Sequence, residues 1–232
     1  MTYAVADCRI TPDIENALYC YAERIIKLPP LSTLAEPVAS HPDMLLWRVG
    51  NKIVTYEDYA KIAQAELSAL SALGFEIITE SVRPSASYPH DVRLNCALVG
   101  KHAIANLKYT SEHVMTSGLK LLHANQGYTK CATVVVSDNA IITSDPSIFD
   151  AAKGAGIDAL KISEGHVRLD GYDTGFIGGA TGVTDEAVLF TGDLCSHPDA
   201  RKIEEFCARH GKSAISLAPT PLYDYGTVFF FN

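Results

Sequence analysis

The stretch AIITSDPSIFDAAKGAG, residues 140–156, decides how the chain is read. An apolar, β-branched run ends at Thr143, one residue intervenes, and Asp145 then precedes an amphipathic helical pattern. Asp145 is a suitable N-cap because its carboxylate can accept an orphan amide hydrogen bond. Pro146 suits the first helical turn, and Gly154 suits a left-handed stop. The same Thr-x-acid device recurs at Thr11–Asp13, Thr55–Glu57, Thr110–Glu112 and Thr191–Asp193, each time between a strand-like run and a helix-like one. Thr184–Glu186 matches the tripeptide without that setting, so the setting carries the signal.

Working outward, hairpins are expected at Met44–Val49/Lys52–Thr55, Val92–Val99/His102–Leu107 and Cys131–Ser137/Ala140–Thr143. A fourth is expected between Thr174–Ile177 and Ala187–Phe190, across a long glycine-rich loop. Each hairpin is followed by a helix and a third strand: Phe75–Ile78, Leu119–His123, Ile157–Ile162 and Ala214–Leu217. The lone final run Thr227–Phe231 is expected to pair with Tyr3–Ile10, so that a fifth unit uses both chain ends. Such closure would remove exposed sheet edges. The expectation is one α/β domain over residues 1–232, a five-bladed pseudo-symmetric propeller of strand-strand-helix-strand units. A doubly wound open sheet would instead alternate single strands with helices.

Composition narrows the partners. The net charge of −8 argues against a nucleic-acid groove or an anionic membrane surface. No apolar run approaches the ~20 residues that span a bilayer, and MTYAVADCRI lacks the pattern of a secretory signal. A cytoplasmic protein is therefore expected, with its six cysteines as free thiols, mostly buried. Oligomeric state is not indicated.

Function should lie where the third strand of one unit passes to the first strand of the next. These connections are unusually polar: His41–Asp43; Tyr88–Asp91 with Arg93; Gln126–Tyr128 with Lys130 and Cys131; His166 with Arg168, Asp170 and Asp173; and Tyr223–Tyr225. Asp43, Asp91 and Asp224 could form an anionic cup for a guanidinium or ammonium group. Arg93 and Arg168 could hold a substrate carboxylate or pair with those acids. His166 is the candidate general base, tuned by Asp170 or Asp173, and Cys131 beside Lys130 is a candidate nucleophile. Each of these residues has a plainer reading as a turn former, ion-pair partner or core group.

No cofactor or metal is expected. Cys195-Ser-His197-Pro-Asp199 contains metal-ligand types, yet Pro198 and Asp199 equally start a helix. Gly175, Gly178, Gly179 and Gly182 run into a strand and not into a helix, unlike a dinucleotide loop.

HPDMLLWRVG, PHDVRLNCALVG, EGHVRLDGYDTGFIGGATGV and DYGTVFFF resemble an uncharacterised bacterial branch of the pentein, or guanidine-modifying enzyme, superfamily. That resemblance implies a carboxylate site for guanidinium, a His general acid/base and a C-terminal Cys nucleophile. Asp43 corresponds to an early guanidinium-binding Asp, while Leu46, Trp47 and Arg48 occupy the region of the usual second acid. Gly165-His166-Val167 is similar to the histidine motif, with Arg168 in place of the following Asp. Gly226-Thr-Val-Phe-Phe230 is similar to the nucleophile motif, with Phe230 where Cys is usual. A phenyl ring cannot form a covalent intermediate, which counts against the standard amidinohydrolase chemistry. The implied ligand is a small guanidino or other cationic or zwitterionic metabolite. The alternatives are a protein-binding propeller, or a C–N hydrolase of altered mechanism using His166 and carboxylates.

Overall fold

The computed structural model describes residues 1–232. In chain order the elements are β1 (Tyr3–Asp7), α1 (Pro12–Leu18), β2 (Arg24–Leu28), α2 (Pro42–Leu45), β3 (Leu46–Val49), β4 (Lys52–Tyr56), α3 (Glu57–Ile62), α4 (Gln64–Ala72) and β5 (Glu76–Glu80). There follow β6 (Ala97–Val99), β7 (His102–Ala105), α5 (Glu112–Met115), β8 (Lys120–His123), β9 (Thr133–Ser137), β10 (Ala140–Thr143), α6 (Pro146–Gly154) and β11 (Asp158–Lys161). The chain ends with β12 (Thr181–Val183), β13 (Ala187–Phe190), α7 (Ala200–Arg209), β14 (Ser213–Ser216) and β15 (Phe229–Phe231). No helix is long and apolar enough to cross a membrane.

The strands form five three-stranded sheets: β15-β1-β2, β3-β4-β5, β6-β7-β8, β9-β10-β11 and β12-β13-β14. Every central strand pairs antiparallel on one side and parallel on the other. A parallel neighbour cannot be reached by a tight turn, so a helical crossover joins each central strand to its third strand. Burial explains the apolar runs: all four residues of β7, β10 and β13 are buried. β1 and β15 place the two ends of the chain in one sheet, with Tyr3 opposite Phe231 and Val5 opposite Phe229. The largest core cluster joins the β3-β4-β5 sheet and its helices to Phe231, through Tyr56, Tyr59, Leu70 and Phe75.

Two expectations are corrected. The fourth hairpin pairs Thr181–Val183, not Thr174–Ile177, with β13. The preceding glycines are not hairpin slack. A Cβ at Gly178 would lie 2.3 Å from the Thr133 carbonyl oxygen, and one at Gly179 would lie 1.9 Å from Asp224 Oδ1. Backbone there is pressed into the centre of the molecule, where only glycine fits.

The Thr-x-acid device also does something other than start helices. Thr11 and Asp145 do cap, accepting from the amides of Ile14 and Ile148. Thr55, however, makes no cap bond to α3. Its buried hydroxyl donates to the Leu45 carbonyl at 2.9 Å. Thr143 donates likewise to Ala132, Thr110 to Arg93, and Thr191 to Tyr223. These hydroxyls tie the end of a central strand, or the turn after it, to a connecting segment near the molecule's centre. A carbonyl buried there would otherwise lack a donor.

Candidate functional site

The polar connections do converge, but onto a sealed network. Asp7, His41, Asp43 and Asp224 are each at most 1% exposed. Gly226 carries φ +70°, and a Cβ there would lie 2.2 Å from His41 Cβ, so this turn packs directly on the histidine. Asp224 fixes the adjoining backbone: Oδ2 accepts from the Phe176 amide and Oδ1 from the Gly226 amide, both at 2.9 Å. Burial pushes its carboxyl above the ordinary range, against the opposing influence of His41, and nearby Asp43 pushes the same way. His41 lies 3.8 Å from both Asp7 and Asp224, with neither ring nitrogen hydrogen-bonded. Arg9 Nη2 pairs with Asp7 at 2.6 Å.

Around Asp43 the network is closed by Asn95, Lys130, Cys131 and Thr227. Asn95 Nδ2 donates to Cys131 Sγ at 3.0 Å, and the Cys131 thiol donates to Asp43 Oδ1 at 3.1 Å. Asn95 Oδ1 accepts the Lys130 and Cys131 amides at 2.7 and 3.2 Å. Thr227 Oγ1 is 2.8 Å from Asp43 Oδ2 and accepts from Lys130 Nζ at 2.9 Å. Burial, then Asp43 and Asp224, raise the Cys131 thiol well above its ordinary pKa. Cys131 is thus a protonated hydrogen-bond donor at neutral pH, whereas a nucleophile requires the thiolate.

The remaining sequence candidates stand apart. Asp91 is buried and accepts from the Tyr128 hydroxyl at 2.6 Å, and burial followed by Asp91 raises the Tyr128 pKa. Arg93 pairs with Glu80 at 2.5 Å. His166, Arg168, Asp170 and Asp173 line a surface groove that includes none of Asp43, Asp91, Asp224 or Cys131. There the His166 ring meets His197, with centroids 5.2 Å apart. Arg168 and Asp170 are 3.9 Å apart and largely exposed. The structure therefore brings Asp43, Cys131 and Asp224 together and leaves His166 outside.

Open space lies on the other side of Lys130 and Thr227. A half-open cavity of about 450 Å³ draws residues from the antiparallel edge strand of all five sheets, including Trp47, Leu98, Val136, Val183 and Phe229. Lys130 and Thr227, which precede strands, lie at one end; Asp138 and Asp185, in hairpin turns, lie at the other. Five to six residues of extended chain set that span at roughly 15–20 Å. Arg48 and Lys212 also line it. The Arg48 guanidinium lies against the Phe75 and Phe231 rings, 4.8 and 5.1 Å from their centroids. Asp7, Asn95 and Thr227 had escaped the sequence reading. Asn95 falls in LNCAL, which reads as strand, and nothing local marks it.

Solved structures with this fold cover nearly the whole chain. A dimethylarginine dimethylaminohydrolase variant, in adduct with S-methyl-L-thiocitrulline, matches with TM-score 0.57 and 10% identity, over 92% of this chain and 91% of that one. The N-terminal domain of ArgZ, an arginine dihydrolase from the ornithine-ammonia cycle in cyanobacteria, matches with TM-score 0.54 and 8% identity, over 93% and 90%. The C. jejuni agmatine deiminase matches with TM-score 0.51 and 10% identity, over 93% and 87%. Identities this low establish the shared pentein fold and not a shared reaction. No curated protein matches the chain. A family model described as a family of unknown function, DUF6873, covers residues 5–229, and the chain belongs to that family.

Proposed function

We propose that the five sheets close into a ring and that the protein binds a small zwitterionic metabolite, of the amino- or guanidino-acid class, in the cavity at its centre. The observation that carries this reading is the cavity of about 450 Å³, to which the antiparallel edge strand of every sheet contributes. Its lining suits a zwitterion. Arg48 and Lys212 supply positive charge, Asp138 and Asp185 negative charge, and apolar strand residues fill the wall between. The structurally similar arginine dihydrolase and agmatine deiminase make guanidino compounds the first class to try. Thiolate attack plays no part, because Cys131 is sealed and protonated.

The test is a thermal-shift series with arginine, guanidinoacetate and agmatine. A ligand at 100 times its Kd should stabilise the fold by about 2.7 kcal/mol. Val183→Trp, which fills the cavity, should abolish the shift. A shift that survives this substitution, or no shift with any compound, would overturn the reading.

A further inference from the structure

The end of the cavity formed by Lys130 and Thr227 holds more than a binding surface. Lys130 Nζ has two hydrogen-bond acceptors, the Thr133 carbonyl at 3.3 Å and Thr227 Oγ1 at 2.9 Å, and no carboxylate in ion-pair contact. A neutral amine has two N–H groups and one lone pair; an ammonium has three N–H groups. The two acceptors therefore satisfy the neutral amine completely, with its lone pair unengaged beside the cavity. Burial lowers the Lys130 pKa in the same direction, against the opposing charges of Asp43 and Asp224.

A second observation concerns Thr227. It is the one non-glycine residue with positive φ, at 67°. This conformation is rare for a β-branched side chain and is strained. It places the Thr227 hydroxyl between Lys130 Nζ and Asp43 Oδ2, at 2.9 and 2.8 Å. Asp43 Oδ1 is held meanwhile by the Cys131 thiol. The Thr227 hydroxyl, whose other acceptor is the Gly178 carbonyl at 2.9 Å, links the amine to the Asp43 carboxylate.

We infer that Lys130 is an amine nucleophile which forms an imine with a small aldehyde or 2-oxo acid in the cavity, with Thr227 and Asp43 relaying its proton. The Nζ lone pair attacks the carbonyl carbon and the C–N bond forms. One amine proton passes through Thr227 to Asp43 and returns by the same path to the carbinolamine oxygen; the C–O bond then breaks, the oxygen leaves as water with both amine protons, and nothing is oxidised or reduced. This inference rests on the cavity being the ligand site, and adds a covalent step to it.

The experiment incubates the full chain with glyoxylate or pyruvate and sodium cyanoborohydride at neutral pH, followed by peptide mapping. Lys130 should be alkylated at least tenfold faster than any other lysine. Thr227→Val should slow this labelling about tenfold, and Thr227→Ser should restore it. Labelling spread evenly over the lysines of the wild-type protein would overturn the inference without any variant needing to fold. If Lys130 stays unlabelled while the zwitterion series still shifts the melting temperature, the covalent step fails and the binding site stands. If both fail, the cavity is not the site.

Discussion

The two ends of the molecule's centre contain similar chemistry in opposite states. On one side of Lys130 and Thr227, three carboxylates (Asp7, Asp43 and Asp224) and His41 lie together with almost no solvent exposure, and Arg9 pairs with Asp7 from the outside. On the other side, charged groups line a half-open cavity whose wall is mostly ordinary strand residues. The difference shows that convergent polar side chains do not by themselves make a ligand site. At the sealed end their hydrogen-bonding capacity is spent on backbone amides and on one another. At the open end Arg48, Lys130 and Lys212 also bond to backbone carbonyls, but these residues line open space.

The contrast should break most visibly in stability. Asp224→Ala removes the acceptor for two buried amides and a partner of His41. Losing one member of a buried charged network costs about 3–5 kcal/mol, read as a lower urea midpoint. Val183→Trp in the open cavity should change stability by less than about 1 kcal/mol. Comparable losses in the two variants would erase the distinction. Next in size, Asn95→Leu leaves the Lys130 and Cys131 amides without their acceptor and the Cys131 sulfur without its donor. About 2–3 kcal/mol should be lost, with a smaller loss pointing to water entering the network.

A smaller effect tests the threonine ties. Thr143→Val keeps the shape but leaves the Ala132 carbonyl without its donor, for about 1–2 kcal/mol. If the device were only a helix cap, Asp145→Ala would cost more than Thr143→Val, and the account of the ties would fail. The smallest effect concerns pH. Burial, helped by His166, lowers the His197 pKa below its ordinary 6.5. The unfolded chain then binds the extra proton first, so this contribution to stability is complete above pH 6.5 and is lost as pH falls toward the folded-state pKa. His197→Gln should flatten stability between pH 6.5 and the onset of carboxylate titration, and an unchanged slope would assign the dependence elsewhere.

Much of the fold was legible because burial writes itself into sequence. β7, β10 and β13 are short apolar runs with every residue buried, bounded by turn residues such as Gly100 and Asp138-Asn139. The β12 register was missed because its glycines look like loop, whereas they serve the close approach of Thr133, Lys130 and Asp224. The site was less legible. Asp43, Cys131 and Asp224 could be picked out as polar groups in connections, but Asn95 looks like part of a strand. Whether such groups are sealed or open depends on packing between segments far apart in the chain, as between Asp43 and Thr227. The cavity left no local mark, since Val136 and Val183 read as any strand residues would.

The sealed end makes its most direct claim through Cys131. Timed iodoacetamide labelling of the native protein at neutral pH, mapped by peptide, would compare it with the exposed Cys20 and Cys195. The predicted result is fast modification of those two cysteines, with Cys131, and Cys96, whose pKa burial raises to about 12, protected until the protein unfolds. Cys131 labelling as fast as Cys20 would contradict this, since it requires an accessible thiolate where the sealed network leaves none.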